Sequence, residues 1–203
     1  MILCQKLLII FLPILIILSN TIYFVFNENY YIQLTESFYG ENSTQYTQTG
    51  LKVMDYIRGQ KQLEQNIFSL QAQIHLMEVK SLFSLVLVTN LFCALIVLMT
   101  FSLLFLKKEI NLIKYALFYS SVLTLAFILA VSVFTYINFD FWFKMLHQIL
   151  FRDNLWLFEP DDILVKIFPA QFFSESLLLV STNIVFCVII LLLTSKIFTK
   201  NAR

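Results

Sequence analysis

Residues 81–106, SLFSLVLVTNLFCALIVLMTFSLLFL, hold no charged residue, no glycine and no proline. A helix rises about 1.5 Å per residue and needs about 20 apolar residues to cross roughly 30 Å of hydrocarbon, so this run reads as a membrane span. It stops where charge returns, at Lys107-Lys108-Glu109. Three further runs share its character: residues 7–26 after Lys6, residues 115–139, and residues 176–195 before Lys196, Lys200 and Arg203. Only eight residues separate the runs at 81–106 and 115–139, which makes those two helices an antiparallel pair. The first run also resembles the core of a secretory signal, but it is long for one and no AxA-like cleavage site follows, so an uncleaved span is expected. Cys4 precedes the run and does not follow it, which argues against a lipobox.

Composition agrees with four spans. Of 203 residues, 59% are hydrophobic and 13% charged, with three glycines and three prolines, and the mean hydropathy is +0.80. These values describe an all-α, polytopic membrane protein with four transmembrane helices, not a soluble domain. The expected organisation is one integral membrane domain over 1–203 with outer segments at 27–80 and 140–175. A net charge of +1 speaks against nucleic acid, whose phosphates require clustered Lys and Arg. Cys4, Cys93 and Cys187 lie in or beside apolar runs and form no CxxC pair, which leaves disulfide, zinc and thioredoxin-like readings without support.

The positive charges set the orientation. Lys6, Lys107, Lys108, Lys114, Lys196, Lys200 and Arg203 crowd into short segments on one side, with Glu109 as the one acid among them. An equal number, Lys52, Arg58, Lys61, Lys80, Lys144, Arg152 and Lys166, is spread over the two long segments of the other side. The denser side is expected to be cytoplasmic, so both termini are inside and the long segments outside.

Those outer segments carry both histidines of the chain. Within residues 27–80, the first part up to Gly50 is rich in Tyr, Asn, Thr and Gln with little periodicity. From Leu51 onward, Val53, Ile57, Leu63, Ile67, Leu70, Ile74 and Met77 recur at helical spacing, with a possible break at Gly59. Because no Gly or Pro occurs between Gln60 and Leu106, the helix is expected to run without interruption into the span. His75 then lies six residues before the charge-free run, about 9 Å beyond the hydrocarbon edge. In the second outer segment, Asp140, Lys144, His147 and Gln148 fall at i, i+4, i+7 and i+8 among Phe141, Trp142, Phe143, Met145, Leu146, Ile149 and Leu150. This is the pattern of an interfacial helix with its polar side to water. Turn signals follow at Arg152-Asp153-Asn154 and Glu159-Pro160-Asp161-Asp162.

A lone interfacial histidine is more often a solvated residue than a catalyst. Here the only two lie on one side at matching depth, where lipid ester bonds are found. Glu78, three residues after His75, is placed to orient or charge-stabilise its ring. Two histidines do not close a zinc site and would need carboxylates such as Glu78, Asp140 or Asp162 to complete one, so metal support is weak and no cofactor is expected. No Gly-rich phosphate loop, GxSxG or HExxH motif occurs. The chemistry left is acid–base catalysis on a substrate that brings its own nucleophile. A non-catalytic membrane scaffold or assembly factor is the competing reading. A transporter subunit is disfavoured by the lack of charge inside the spans.

The segment FSLQAQIHLMEVK, residues 68–80, resembles the histidine motif of the lipoprotein intramolecular transacylase (Lit) family. His147, Leu150-Phe151, Trp156, Asp162, Leu164, Phe168-Pro169 and Phe172-Phe173 are similar to its second motif in order and spacing. The resemblance extends over nearly the whole chain. Two departures stand out: Leu76-Met77-Glu78-Val79 replaces a more usual Met-x-Asp-Val, and Ala72 stands where an acid is common.

The resemblance implies a bacterial plasma-membrane enzyme whose partners are a diacylglyceryl-modified lipoprotein and membrane lipid. It moves the sn-2 acyl chain to the α-amino group of the lipoprotein's N-terminal cysteine, with an active site at the outer leaflet. An α-amino group with a reference pKa of about 7.7–8.0 must lose a proton before attack, and a histidine near 6.5 can accept it. Ester to amide is downhill and needs no nucleotide. The expected catalytic residues are His75, as base toward the amine, and His147, stabilising the oxyanion or protonating the leaving oxygen. Glu78 supports His75, and Arg152 and Asn154 hold the ester carbonyl or headgroup. Trp156, Phe172 and Phe173 are expected to anchor the interface more than to touch substrate, and Asp162 belongs to the second motif.

Overall fold

The computed structural model describes residues 1–40, 43–151 and 153–200, the side chains of 197–200 excepted. In chain order the helices are α1 (Ile2–Val25), α2 (Glu28–Tyr39), α3 (Ser43–Ile57), α4 (Leu70–Leu106), α5 (Ile110–Ile137), α6 (Phe139–Leu150), α7 (Ile163–Ile167) and α8 (Ala170–Lys200). The described residues contain no strand. Four helices among them are long and apolar enough to cross a membrane. The chain divides into two compact units.

One unit is built from Met1–Ile22, Val86–Val133 and the stretch from Leu178 onward. Leu8 and Leu12 of α1, Leu104 of α4, and Ile113, Ala116 and Leu117 of α5 form one packed cluster. Ile128, Ile184 and Val188 form a second, between α5 and α8. Leu91, Leu95 and Leu98 of α4 remain exposed, as the lipid face of a membrane helix must be. Polar side chains in this unit are tied down locally or across helices. Thr100, Ser121 and Thr124 donate to carbonyls one turn back, at 2.7–2.8 Å. Asn183 donates to Asn20 Oδ1, and Ser19 donates to Asn90 Oδ1 at 3.0 Å.

The other unit comprises Tyr23–Leu85 and Phe134–Leu177. Its polar, aperiodic first part, up to Gly50, forms α2 and the first half of α3, where the sequence shows no regular pattern; the second half of α3 is the helical spacing read from Leu51. Asn27 caps α2 by accepting from the Tyr30 N–H at 3.1 Å, and Gly40, at φ +55°, ends it. Leu34 of α2 and Val53, Met54 and Tyr56 of α3 are buried, and Tyr31 of α2 is only 1% exposed. Its hydroxyl donates to the Ile167 carbonyl at 3.1 Å. Gly50 of α3 makes room for that ring, since a Cβ there would lie 1.8 Å from the Tyr31 hydroxyl oxygen.

Helix α3 ends at Ile57, and Gly59 follows at φ +79°. The expected uninterrupted helix from Gln60 is not formed. A short 3₁₀ turn over Gln65–Ile67 intervenes and α4 begins at Leu70. The break lets Phe68 fold into the core with Ala72 and Leu76 of α4, Val53 and Tyr56 of α3, and Leu164 and Ile167 of α7. From Leu70 the helix continues without a break through His75 and the charge-free run. Helix α5 ends at Ile137, slightly short of the apolar run, because Asn138 caps α6 by accepting from the Phe141 N–H at 3.0 Å.

Candidate active site

His75 stands on the first turns of α4, outside the charge-free run. Its neighbours Ala72 and Leu76 are buried in the core, and that packing draws the imidazole in with them: His75 is 7% exposed. Its Nδ1 lies 3.9 Å from Glu78 Oε2, one turn on, too far for a hydrogen bond. Both atoms are closed off from solvent and neither has a hydrogen-bond partner. Burial, helped by the nearby His147 and opposed by Asp153, lowers the His75 pKa to about 4. Burial, then Asp153, raises that of Glu78. His75 is therefore neutral at physiological pH.

His147 stands near the end of α6. Of the polar stripe Asp140, Lys144, His147 and Gln148, only His147 is half-buried, and the other three are exposed. Its Nδ1 meets the Phe143 carbonyl, one turn back, at 2.8 Å. A carbonyl only accepts, so Nδ1 carries the hydrogen and Nε2 presents its lone pair. Burial lowers the pKa of this ring too, while the Phe143 carbonyl works against that shift.

The two imidazoles come from segments 72 positions apart, yet their centroids are 6.3 Å apart and the planes differ by 29°. Aromatic rings enclose them. Phe151 lies 4.8 Å from His75 and 5.5 Å from His147. Phe158 packs against His75 at 5.6 Å, Phe143 against His147 at 4.2 Å, and Trp156 against His147 at 5.1 Å. Such walls keep water away, which strengthens any polar contact made inside.

The supporting residues divide. Glu78 and Trp156 stand at the histidines. Asp162 caps α7, where its Oδ1 accepts from the Leu164 N–H at 2.7 Å and its Oδ2 from the Ser69 hydroxyl at 3.5 Å. Asn154 is exposed, and its carbonyl accepts from the Leu157 N–H to close a turn. Arg152 lies outside the described residues. Phe172 packs on Tyr30 and Tyr31 and Phe173 on Phe143. No group of three His, Cys, Asp or Glu among the described residues could hold a metal ion.

Sequence reasoning passed over Gln71 and Phe143. Both precede a histidine by four positions on its own helix, which places each on that histidine's face. That spacing was the available signal.

The family model described as lipoprotein intramolecular transacylase Lit matches residues 2–173. The chain belongs to that family. Among solved structures it resembles the membrane integral lipoprotein intramolecular transacylase Lit from Bacillus cereus. The TM-score is 0.87 at 19% identity, with 99% of this chain and 96% of that chain covered. Two variants of the same Bacillus protein, with one histidine replaced by arginine or by alanine, also match. The arginine variant has TM-score 0.77 at 18% identity, covering 99% of this chain and 92% of that one. The alanine variant has TM-score 0.80 at 18% identity, covering 99% and 94%. No curated protein matches the chain. The family is one of acyltransferases, and the chain's four long apolar helices suit a membrane-embedded member of it.

Proposed function

We propose that His75 and His147 catalyse the intramolecular acyl shift, from the sn-2 oxygen of a diacylglyceryl-modified N-terminal cysteine to its α-amino nitrogen, at the outer leaflet. The observation that carries this reading is the pair of neutral imidazoles held 6.3 Å apart in an aromatic enclosure.

Two bases match the proton count. The substrate arrives as an ammonium, which must lose one proton to attack and a second to become an amide. His147 Nε2 takes the first, the role that the sequence reading gives to His75, because the Phe143 carbonyl on Nδ1 keeps this ring oriented and steadies its charge. The free amine then adds to the sn-2 carbonyl carbon. His75 takes the second proton through Nε2, its Nδ1 side being closed against Glu78. The carbon–oxygen bond breaks as His147 returns its proton to the leaving glyceryl oxygen. His75, with its lowered pKa, then releases its proton to water. The sum is ammonium plus ester giving amide, alcohol and one proton. Nucleophile and electrophile share one molecule, so positioning can supply much of the rate, on the order of 7 kcal/mol or more for well-aligned intramolecular reactions.

The test is expression in cells whose lipoproteins carry a free α-amino group. Fragmentation mass spectrometry should place one acyl chain on the cysteine nitrogen with total mass unchanged. Unshifted chains, or full conversion by both His75→Ala and His147→Ala, would return the chain to the scaffold reading. Reporter fusions near Gln45 and Asp161 should report the outside and fusions after Lys108 the cytoplasm; the reverse would remove the outer-leaflet site.

A further inference from the structure

The acyl shift passes through a tetrahedral intermediate whose oxygen bears negative charge, and with both histidines moving protons as proposed above, the oxyanion role first expected of His147 is left without a donor. We propose that the indole N–H of Trp156 is this donor, holding the sn-2 carbonyl oxygen and then the oxyanion, with Gln71 as the positioning residue. The proposal rests on the transacylase reading of the site.

Three observations carry it. The Trp156 Nε1 atom is closed off from solvent and has no hydrogen-bond partner. An indole nitrogen only donates, so a buried one without an acceptor is costly unless a ligand provides it. An indole that merely anchors a membrane interface keeps its N–H at the polar boundary. Next, the ring packs on His147, with centroids 5.1 Å apart and planes 38° apart. The donor is thus carried by a ring in contact with the base.

Finally, the loop is held from the helix that bears His75. Gln71 stands one turn before His75, and its Nε2 donates to the Leu155 carbonyl at 3.1 Å and to the Leu157 carbonyl at 2.9 Å. These are the residues on either side of Trp156. Asp153 Oδ1 accepts from the Leu155 N–H at 3.1 Å, and Leu157 N–H donates to the Asn154 carbonyl at 3.0 Å. A donor fixed in advance stabilises a developing charge without reorganising when the reaction occurs.

The test uses the full chain in lipid with a synthetic diacylglyceryl-cysteine lipopeptide. Trp156→Phe keeps the ring and removes the N–H, and should lower kcat on the order of 100-fold with KM little changed. Gln71→Ala should lower kcat less. A Trp156→Phe protein with near wild-type kcat overturns the assignment. Absence of conversion by the wild type would instead overturn the transacylase reading beneath it.

A second measurement does not depend on the variant folding. In wild-type protein with ¹⁵N-labelled indoles, adding the same lipopeptide with its amino group acetylated, so that it cannot react, should move one indole N–H resonance downfield. Trp142→Phe assigns it between the two tryptophans. No movement of the Trp156 resonance would overturn the proposal.

Discussion

In the unit formed by residues 1–22, 86–133 and the C-terminal stretch, buried Ser, Thr and Asn side chains bond to a carbonyl one turn back or to a neighbouring helix. In the unit that carries the histidines, the balance differs. All four buried side-chain nitrogen and oxygen atoms left without a partner among the described residues fall there: Thr47 Oγ1, His75 Nδ1, Glu78 Oε2 and Trp156 Nε1. Three of these four belong to the histidine site. Hydrocarbon offers no water to satisfy a stray polar group, so a membrane helix must close its own bonds. A site that will receive an ester and an amine can keep donors and acceptors open until the substrate fills them. Unsatisfied polarity therefore gathers around the two histidines.

That contrast can be broken most sharply at the histidines. His75→Ala and His147→Ala should each cut acyl transfer by at least about 100-fold. Circular dichroism should show unchanged helix content, because the apolar spans determine insertion. A large loss of helix would mean that the imidazoles hold the fold together.

Stability of the histidine unit is most exposed at Gly50. A Cβ there would lie 1.8 Å from the Tyr31 hydroxyl oxygen, so Gly50→Ala should cost about 1–3 kcal/mol, measured by denaturant unfolding in micelles. An unshifted unfolding midpoint would show that the α2–α3 pair yields easily.

Acid provides a milder probe of the same unit. His75 has its folded pKa at about 4, below the ordinary 6.5. Between those values the unfolded chain binds a proton that the folded chain refuses, so stability falls as pH drops through that window. His75→Ala should flatten this part of the unfolding midpoint's pH profile relative to wild type.

Glu78→Gln should slow transfer roughly tenfold and not stop it, since an amide keeps the side chain beside Nδ1 but brings no charge to steady the protonated ring. Smallest of all, Asn183→Leu should cost only about 0.6 kcal/mol, the usual worth of an interhelical hydrogen bond in a membrane, and leave kcat unchanged. A loss of activity there would show that the membrane unit takes part in the site.

The sequence alone determined the all-helical membrane class, because charge-free runs of 20 or more residues admit few other structures. The histidines and Glu78 were also legible, through scarcity and helical spacing. It did not reveal α2 or the first half of α3, whose residues up to Gly50 follow no regular apolar stripe, although the spacing from Leu51 and the break at Gly59 did show the second half. Nor did it reveal the interruption before α4, since Gln65–Ile67 contain no breaker residue and the turn forms where Phe68 is drawn into the core.

Only the tertiary structure brought two imidazoles, 72 positions apart, to 6.3 Å and tied the loop of Trp156 to the helix that bears His75, through Gln71. The physical reason is range. Periodicity and charge report what a residue does within a turn or two of its own helix. Which ring meets which, and which donor is left open, follows from packing between segments far apart in the chain.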